Sequence, residues 1–420
     1  PMMKNVVVGR DMRKTSPGLK DALCEGIIDA GGGVIDIGMV DTPFTYFAVN
    51  HLDCAGAVQT TASHNPPQYN GFKISKRKAK PVGEATGLAD IRKIAATVDV
   101  RDRGSKTGHI EQRDLWNSYL EHVHGFLELP TGKNLKVTID ASNAMAGTMV
   151  PKVFGDVEGL EIDELYFDNS SGEFTHEPNP LVEANLVDLK NRVRENGSDF
   201  GICFDGDADR LVVVDELGET VGCDHLTAFL ASWFLKREGA STIVYDLRSS
   251  KAVEEEIKAA GGTPLRSRVG HVFMKQALSE TGGVFGGELS GHFYFRDNFF
   301  ADSGAIALAT VATAIAESGE PVSELIKPIA RYTQSGEINF ENEEKDLALE
   351  ELEETYGERA DVDDLDGITV DCFDSEGWWA NVRKSNTEPL LRLNLEAKDE
   401  ALKDKMVDEI SVMLGTRVAH

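Results

Sequence analysis

Three stretches of the chain follow one order of parts, and that repetition limits the fold more than any single motif does. Each opens with a β-rich run ending in a charged turn: VVVGRDMR (6–13), LKVTIDASN (135–143) and TIVYDLRSS (242–250). A helical stretch bearing Ala, Glu and Lys and a second short strand follow. Each stretch later reaches an apolar strand that breaks into a polar, often glycine-rich loop: AGAVQTTASHN, FGICFDGDADR and GGVFGGELSGH. Strands alternating with helices predict mixed, largely parallel sheets covered on both faces, in which function collects beyond the carboxyl ends of the strands. The three loops are therefore expected to share one central cleft.

Helical segments 116–127 and 224–237 open the second and third units, and the long apolar helix 302–318 closes the third. Past Tyr332 the pattern changes to GEINFE, an acidic helix, the strands ITVDCF, WWANVRKS and LLRLNLEA, and a final helix, which predicts an α+β domain with an antiparallel sheet. The charged run Asp361 to Asp366 reads as a solvated loop. The fold expected is three similar α/β domains, 1–112, 113–222 and 223–332, followed by the α+β domain 333–420; 420 residues are too many for one core.

A formal charge of −28 disfavours nucleic acid and anionic membranes as partners, since both are held by clustered Lys and Arg. It suits a salty cytosol as well as it suits an ordinary acidic protein. No apolar run reaches the roughly 20 residues that cross a bilayer, and PMMKNVVVGRD has no signal-peptide core, so a cytoplasmic protein is expected. Five cysteines without CxxC spacing argue against a disulfide framework or a zinc site. No sequence feature marks an interface between copies.

The loop TTASHNPPQYNGFK (60–73) sets a serine, a histidine and a lysine around two prolines and a glycine. A lone serine is a poor nucleophile, and neither GxSxG nor SxxK surrounds Ser63. DGDADR places Asp205, Asp207 and Asp209 two apart in a tight turn, an arrangement that can aim three carboxylates at one hard divalent cation. An EF-hand is excluded, because its sixth position is Arg210 rather than glycine and strands flank the loop. In GGELSGH, Glu288 and Ser290 would point the same way if the segment stays extended, a carboxylate and a hydroxyl that suit neighbouring sugar hydroxyls, although taken alone a plain glycine-rich turn is the better reading. RKSNTEPLLR (383–392) offers arginine forks and short donors that suit a phosphate, although a plain hairpin loop would look similar. A metal loop, a phosphate seat and a serine together make phosphoryl transfer the economical reading.

Taken in order and spacing, TASHNPPQYNGFK, DGDADR, GGELSGH and the SNTEP loop resemble the four active-site loops of the α-D-phosphohexomutases, most closely the phosphomannomutase/phosphoglucomutase branch. The resemblance spans nearly the whole chain. It implies that Ser63 is a phosphoserine and that Mg²⁺ is held by its phosphate with Asp205, Asp207 and Asp209. Arg210 would steady the moving phosphoryl group, while His64, Lys73 and His292 would serve proton transfer or charge stabilisation. Glu288 and Ser290 would hold sugar hydroxyls, and Arg383, Ser385, Asn386 and Thr387 the phosphate not being transferred. Arg248 and His271 would make further substrate contacts. The implied activity exchanges hexose 6-phosphate with hexose 1-phosphate, mannose or glucose, through a hexose 1,6-bisphosphate that also acts as activator.

Relatives of this kind open with an FGTxGIRG-like strand and loop before the VVVGRD strand, whereas this chain starts almost at that strand. A shortened first domain with an exposed sheet edge, and lower stability or activity, is the expectation. The alternatives are phosphoglucosamine mutase, which usually carries Gln where Leu289 stands, and a catalytically poor sugar-phosphate-binding homologue.

Overall fold

The computed structural model describes residues 4–98, 108–385 and 389–418. Three of its four sheets are one arrangement built three times. Strand Asn5–Arg10 lies between Gly33–Met39 and Gly56–Thr60, parallel to both, and Phe72–Lys76 returns antiparallel beside Gly56–Thr60. Leu135–Asp140 likewise lies between Leu160–Leu165 and Phe200–Phe204, with Leu211–Asp215 returning. Thr242–Asp246 lies between Thr263–Ser267 and Phe285–Gly287, with Phe293–Phe295 returning. Each polar loop thus leaves the carboxyl end of a buried parallel strand and is closed by an antiparallel partner, which fixes both of its ends.

Short strands finish both edges of the first sheet, Ile110–Gln112 and Lys80–Pro81, and one edge of each of the others, Thr220–Val221 and Ala301–Asp302; Leu160–Leu165 and Thr263–Ser267 form the remaining edges.

One hydrophobic core runs through all three repeats. Two helices knit it together, and both are apolar nearly all round, which is what full burial requires. In Gly304–Ser318, every residue from Gly304 to Ala316 is buried; Ser303 caps its start by accepting from the Ile306 amide at 3.2 Å, and left-handed Gly319 ends it. In Thr42–His51, Asp41 plays the same capping role toward Phe44.

The fourth domain has an antiparallel sheet and a separate core. Polar contacts tie it to the third domain: Lys251 pairs with Asp371, the Lys251 amide donates to Glu396 Oε2 at 2.9 Å, and Gln334 Nε2 donates to Asp224 Oδ2 at 2.7 Å. The run Asp361 to Asp366 belongs to this seam and is not simply a solvated loop. Asp361–Asp363 forms a strand against Ile368–Cys372; Asp363 accepts from Arg266 Nη2 at 2.8 Å and Asp366 from the Val269 amide at 3.2 Å. The carboxylates have partners across the domain boundary, which local composition could not reveal. All five cysteines are buried and free. Among the described residues, no helix is long and apolar enough to cross a membrane.

Candidate active site

The loop after Gly56–Thr60 is held as a closed excursion. The Thr61 amide donates to the Gly71 carbonyl at 3.0 Å, and Thr60 pairs with Phe72 where the strands rejoin. Inside it Ser63 takes φ +51°, a left-handed conformation that costs about 1 kcal/mol or more and persists only where the surroundings impose it. Arg13 imposes it. This side chain, 1% exposed, donates from Nη2 to the carbonyls of Ser63 (2.8 Å) and Asn65 (2.7 Å), and from Nη1 to those of Pro66 (2.8 Å) and Tyr69 (3.1 Å). Its Nε donates to Asp11 Oδ2 at 3.1 Å, so all five N–H groups are used and all acceptors but one belong to this loop.

The second loop abuts the first. Ser63 Oγ donates to Asp205 Oδ2 at 2.7 Å, and a Cβ on Gly206 would lie 2.3 Å from the Ser63 carbonyl, so only glycine permits this approach. Asp205, Asp207 and Asp209 are almost fully buried, and one carboxylate oxygen from each falls within 4.8 Å of the others. Thr42 donates both its amide, at 3.0 Å to the Asp207 carbonyl, and its hydroxyl, to Asp207 Oδ2, while Asp207 Oδ1 has no hydrogen-bond partner among the described residues. Lys73, on the returning strand, reaches Asp207 Oδ2 at 2.7 Å and Asp209 Oδ2 at 2.6 Å. Burial opposes its charge, but the three carboxylates outweigh burial and raise its pKa, which holds it as an ammonium ion. Burial, with Arg210 nearby, pushes His64 down to about 4, so its imidazole is neutral at physiological pH.

The third loop joins by backbone pairing between Arg210 and His292. His292 Nε2 lies 3.3 Å from both Arg210 Nε and Asp209 Oδ1, so it can accept from the first or, with its proton on Nε2, donate to the second. Its Nδ1 lies 2.9 Å from Ser290 Oγ, which donates to Glu288 Oε2 at 2.7 Å; Tyr294 donates to Glu288 Oε1 at 2.8 Å. The segment is a turn closed by the Gly291 amide on the Glu288 carbonyl, not an extended run. Glu288 and Ser290 converge because they hydrogen-bond to each other, not because of strand alternation. His271 opens helix His271–Thr281, where burial and then the Lys275 cation push its pKa down to about 3.

Arg248 stands apart from the carboxylate triplet but is joined to the third loop, since Asp246 accepts from Arg248 Nε (3.1 Å) and Nη2 (2.8 Å) and from the Leu289 amide (2.7 Å). Across the domain seam its Nη1 lies 3.7 Å from Glu337 Oε2, which accepts from Arg383 Nη2 at 2.9 Å. Ser385 Oγ accepts from Arg392 Nη2 at 3.5 Å. Asn386 and Thr387 lie outside the described residues. Arg13, Thr42, Asp246 and Glu337 were not anticipated from sequence. The Asp-x-Arg spacing shared by GRDMR and YDLRS was the available signal for two of them.

Family models for the phosphoglucomutase/phosphomannomutase α/β/α domains I, II and III match residues 2–102, 117–218 and 223–332, and the model for the C-terminal domain matches 337–411. The chain belongs to the phosphoglucomutase/phosphomannomutase family. Membership makes it an enzyme, a hexose phosphate mutase. It is 36% identical over 423 residues to a phosphomannomutase of Salmonella montevideo, covering 98% of this chain and 92% of that one. It is 37% identical over 413 residues to a phosphohexose mutase of Xanthomonas campestris pv. campestris, covering 97% and 91%. The crystal structure of a phosphoglucomutase/phosphomannomutase family protein from Burkholderia thailandensis superposes with a TM-score of 0.87 at 31% identity, covering 98% of this chain and 89% of that chain.

Proposed function

We propose that the enzyme carries a phosphoryl group on Ser63 Oγ and exchanges it with the 1- and 6-hydroxyls of a hexose phosphate. The observation that carries this reading is the 2.7 Å contact of Ser63 Oγ with Asp205, inside a buried carboxylate triplet that Lys73 and Arg210 border. In the first half-reaction the seryl O–P bond breaks as a sugar oxygen bonds to phosphorus, the sugar hydroxyl proton passes to a base, and Ser63 Oγ, the leaving oxygen, takes up a proton to become the hydroxyl. His64, held neutral, and His292 are the candidate acceptors. Lys73, held charged, and Arg210 face the negative charge that accumulates on the transferred group. The second half-reaction returns the other phosphate of the hexose 1,6-bisphosphate to Ser63.

Three buried carboxylates against Lys73 and Arg210 already leave the cluster one charge negative, and a phosphoserine dianion would deepen the deficit. Asp207 Oδ1, buried without a hydrogen-bond partner, adds an open hard ligand. Asp205, Asp207, Asp209 and the Ser63 phosphate therefore suit Mg²⁺, which when bound would neutralise charge on the phosphoryl oxygens. Glu288 and Ser290 are assigned to the sugar hydroxyls, and Arg248, His271, Arg383, Ser385, Asn386 and Thr387 to the remaining substrate contacts. Domains 1–112, 113–222, 223–332 and 333–420 would each supply one loop. If Glu288 and Ser290 hold the 3- and 4-hydroxyls, mannose and glucose present them alike, and both are substrates. A reducing cytosol suits five buried free thiols.

Turnover of mannose 1-phosphate, glucose 1-phosphate and glucosamine 1-phosphate with Mg²⁺ and a trace of bisphosphate tests the reading. The first two are expected at comparable kcat/KM. Preference for the third would establish a phosphoglucosamine mutase instead. Ser63→Ala should lower kcat by at least about 10³-fold while sugar phosphate still binds, as expected for loss of a covalent nucleophile. Equal turnover by this variant would remove Ser63 from the mechanism.

A further inference from the structure

Arg383 and Arg392 stand directly opposite each other on neighbouring antiparallel strands, an arrangement in which like charges repel. An anion between them is needed, and the chain carries its own. Glu337 Oε2 accepts from Arg383 Nη2 at 2.9 Å and Glu337 Oε1 from Arg392 Nη1 at 3.2 Å, with Arg248 Nη1 of the third domain 3.7 Å from the same carboxylate. The backbone is shaped to aim it. Strand Thr333–Glu341 bulges between Gln334 and Glu337, with Gly336 at φ +67°, so two residues face the single Leu395 of its partner. Bulges of this kind redirect a side chain beside a functional site. Glu337 keeps 23% of its surface exposed, which leaves the cluster open to a ligand, and Arg383 Nε has no hydrogen-bond partner among the described residues.

A phosphate would seek the same N–H groups that Glu337 occupies. With Asp246 paired to Arg248, three guanidinium groups and two carboxylates leave a net charge of +1; without Glu337 it would be +2, the match for a phosphate dianion. A mutase must not only grip this phosphate but also let it go once per turnover, because the bisphosphate has to turn round. Tighter uniform binding lowers KM without speeding the chemistry, and here it would slow release.

We propose that Glu337 is a built-in exchange ligand, a carboxylate that orders the three arginines when no phosphate is present and weakens their grip enough for the bisphosphate to reorient. This rests on the mutase reading above. It makes Glu337 a positioning residue that acts through Arg248, Arg383 and Arg392.

The test is calorimetric titration of the full chain with inorganic phosphate at fixed ionic strength, beside steady-state turnover of glucose 1-phosphate. Glu337→Gln preserves shape and removes the charge. It should bind phosphate about tenfold tighter, the scale expected for removing one partly screened like charge, and should lower kcat and KM together. Glu337→Asp, which withdraws the carboxylate by one methylene, should shift both in the same direction by less, and it serves if the Gln variant does not fold. Phosphate binding that is unchanged or weaker in the folded variants overturns the proposal, because Glu337 would then be only a brace. Tighter phosphate binding with kcat unchanged also overturns it, since release would not depend on the grip. Absence of turnover by the parent would sink the mutase reading alone, while the titration would still judge the competition between Glu337 and phosphate.

Discussion

The first and third domains contain the same turn and use it for opposite ends. In both, an Asp at the carboxyl end of the central strand or just beyond it accepts from the amide two residues on, at 3.0 Å for Asp11 and Arg13 and 2.8 Å for Asp246 and Arg248. The guanidinium groups then diverge. Arg13 gives four of its N–H groups to carbonyls of the serine loop, while Arg248 is clamped bidentately by its own Asp and directs the rest of the group toward Glu337 and the fourth domain. The carboxylates record the difference. Burial raises the pKa of Asp11 despite its hydrogen bonds, whereas at Asp246 the guanidinium outweighs burial and lowers it. One repeat spends its arginine on holding its own loop, and the other turns its arginine toward the seam with the fourth domain.

The largest test of this contrast is Arg13→Ala. It strands a buried carboxylate and four loop carbonyls, and a loss of about 5 kcal/mol or more is expected in urea unfolding, comparable with the stability of a whole domain. Wild-type stability in this variant would mean that the loop holds itself.

A sharper test sets Arg13→Lys against Arg248→Lys. Three ammonium protons cannot serve five acceptors, so the first variant should lose about 2–3 kcal/mol of stability and roughly 100-fold in kcat through misplacement of Ser63, with KM nearly unchanged. A lysine at 248 can still pair with Asp246, so stability should hold within about 1 kcal/mol while KM rises about tenfold. Steady-state kinetics of the two proteins decide the matter. If both variants move the same parameter, the two arginines have one role and the contrast fails.

The sequence announced the three-fold repeat because alternating strands and helices, and the loops that interrupt them, are local patterns. That Ser63 and the Asp205 triplet lie on loops at strand ends was legible for the same reason. What it concealed depends on distance along the chain. Arg13 meets carbonyls some fifty residues away, and backbone acceptors leave no mark in residue identity. Glu337 looks like one more of the chain's 71 acidic residues, and its importance comes from a bulge and from partners in two domains. Asp363 and Asp366 passed for solvent-facing charge because Arg266 and the Val269 amide lie almost a hundred residues before them.

The middle repeat supplies the smallest and most selective test. Its turn has Asp140 accepting from the Ser142 amide at 2.8 Å, but serine carries no charge, and the counter-ion comes instead from His176, whose Nε2 lies 3.0 Å from Asp140 Oδ2. Burial works against the imidazolium, yet the Asp140 hydrogen bond and charge prevail and raise the His176 pKa above its ordinary 6.5. A histidine pKa raised on folding stabilises the native state fully below 6.5, and that contribution fades as pH climbs through the raised value. Arginine does not titrate in this range, so the turns of the first and third repeats lack this dependence. His176→Gln should therefore be less stable than the parent at pH 6, and the gap should shrink as pH rises toward 9. The gap for Arg13→Lys should stay flat across the same series of urea unfolding curves. A pH-independent gap for His176→Gln would mean that the imidazole acts only as a neutral hydrogen-bond partner, and that the middle repeat has dispensed with a cation at this turn altogether.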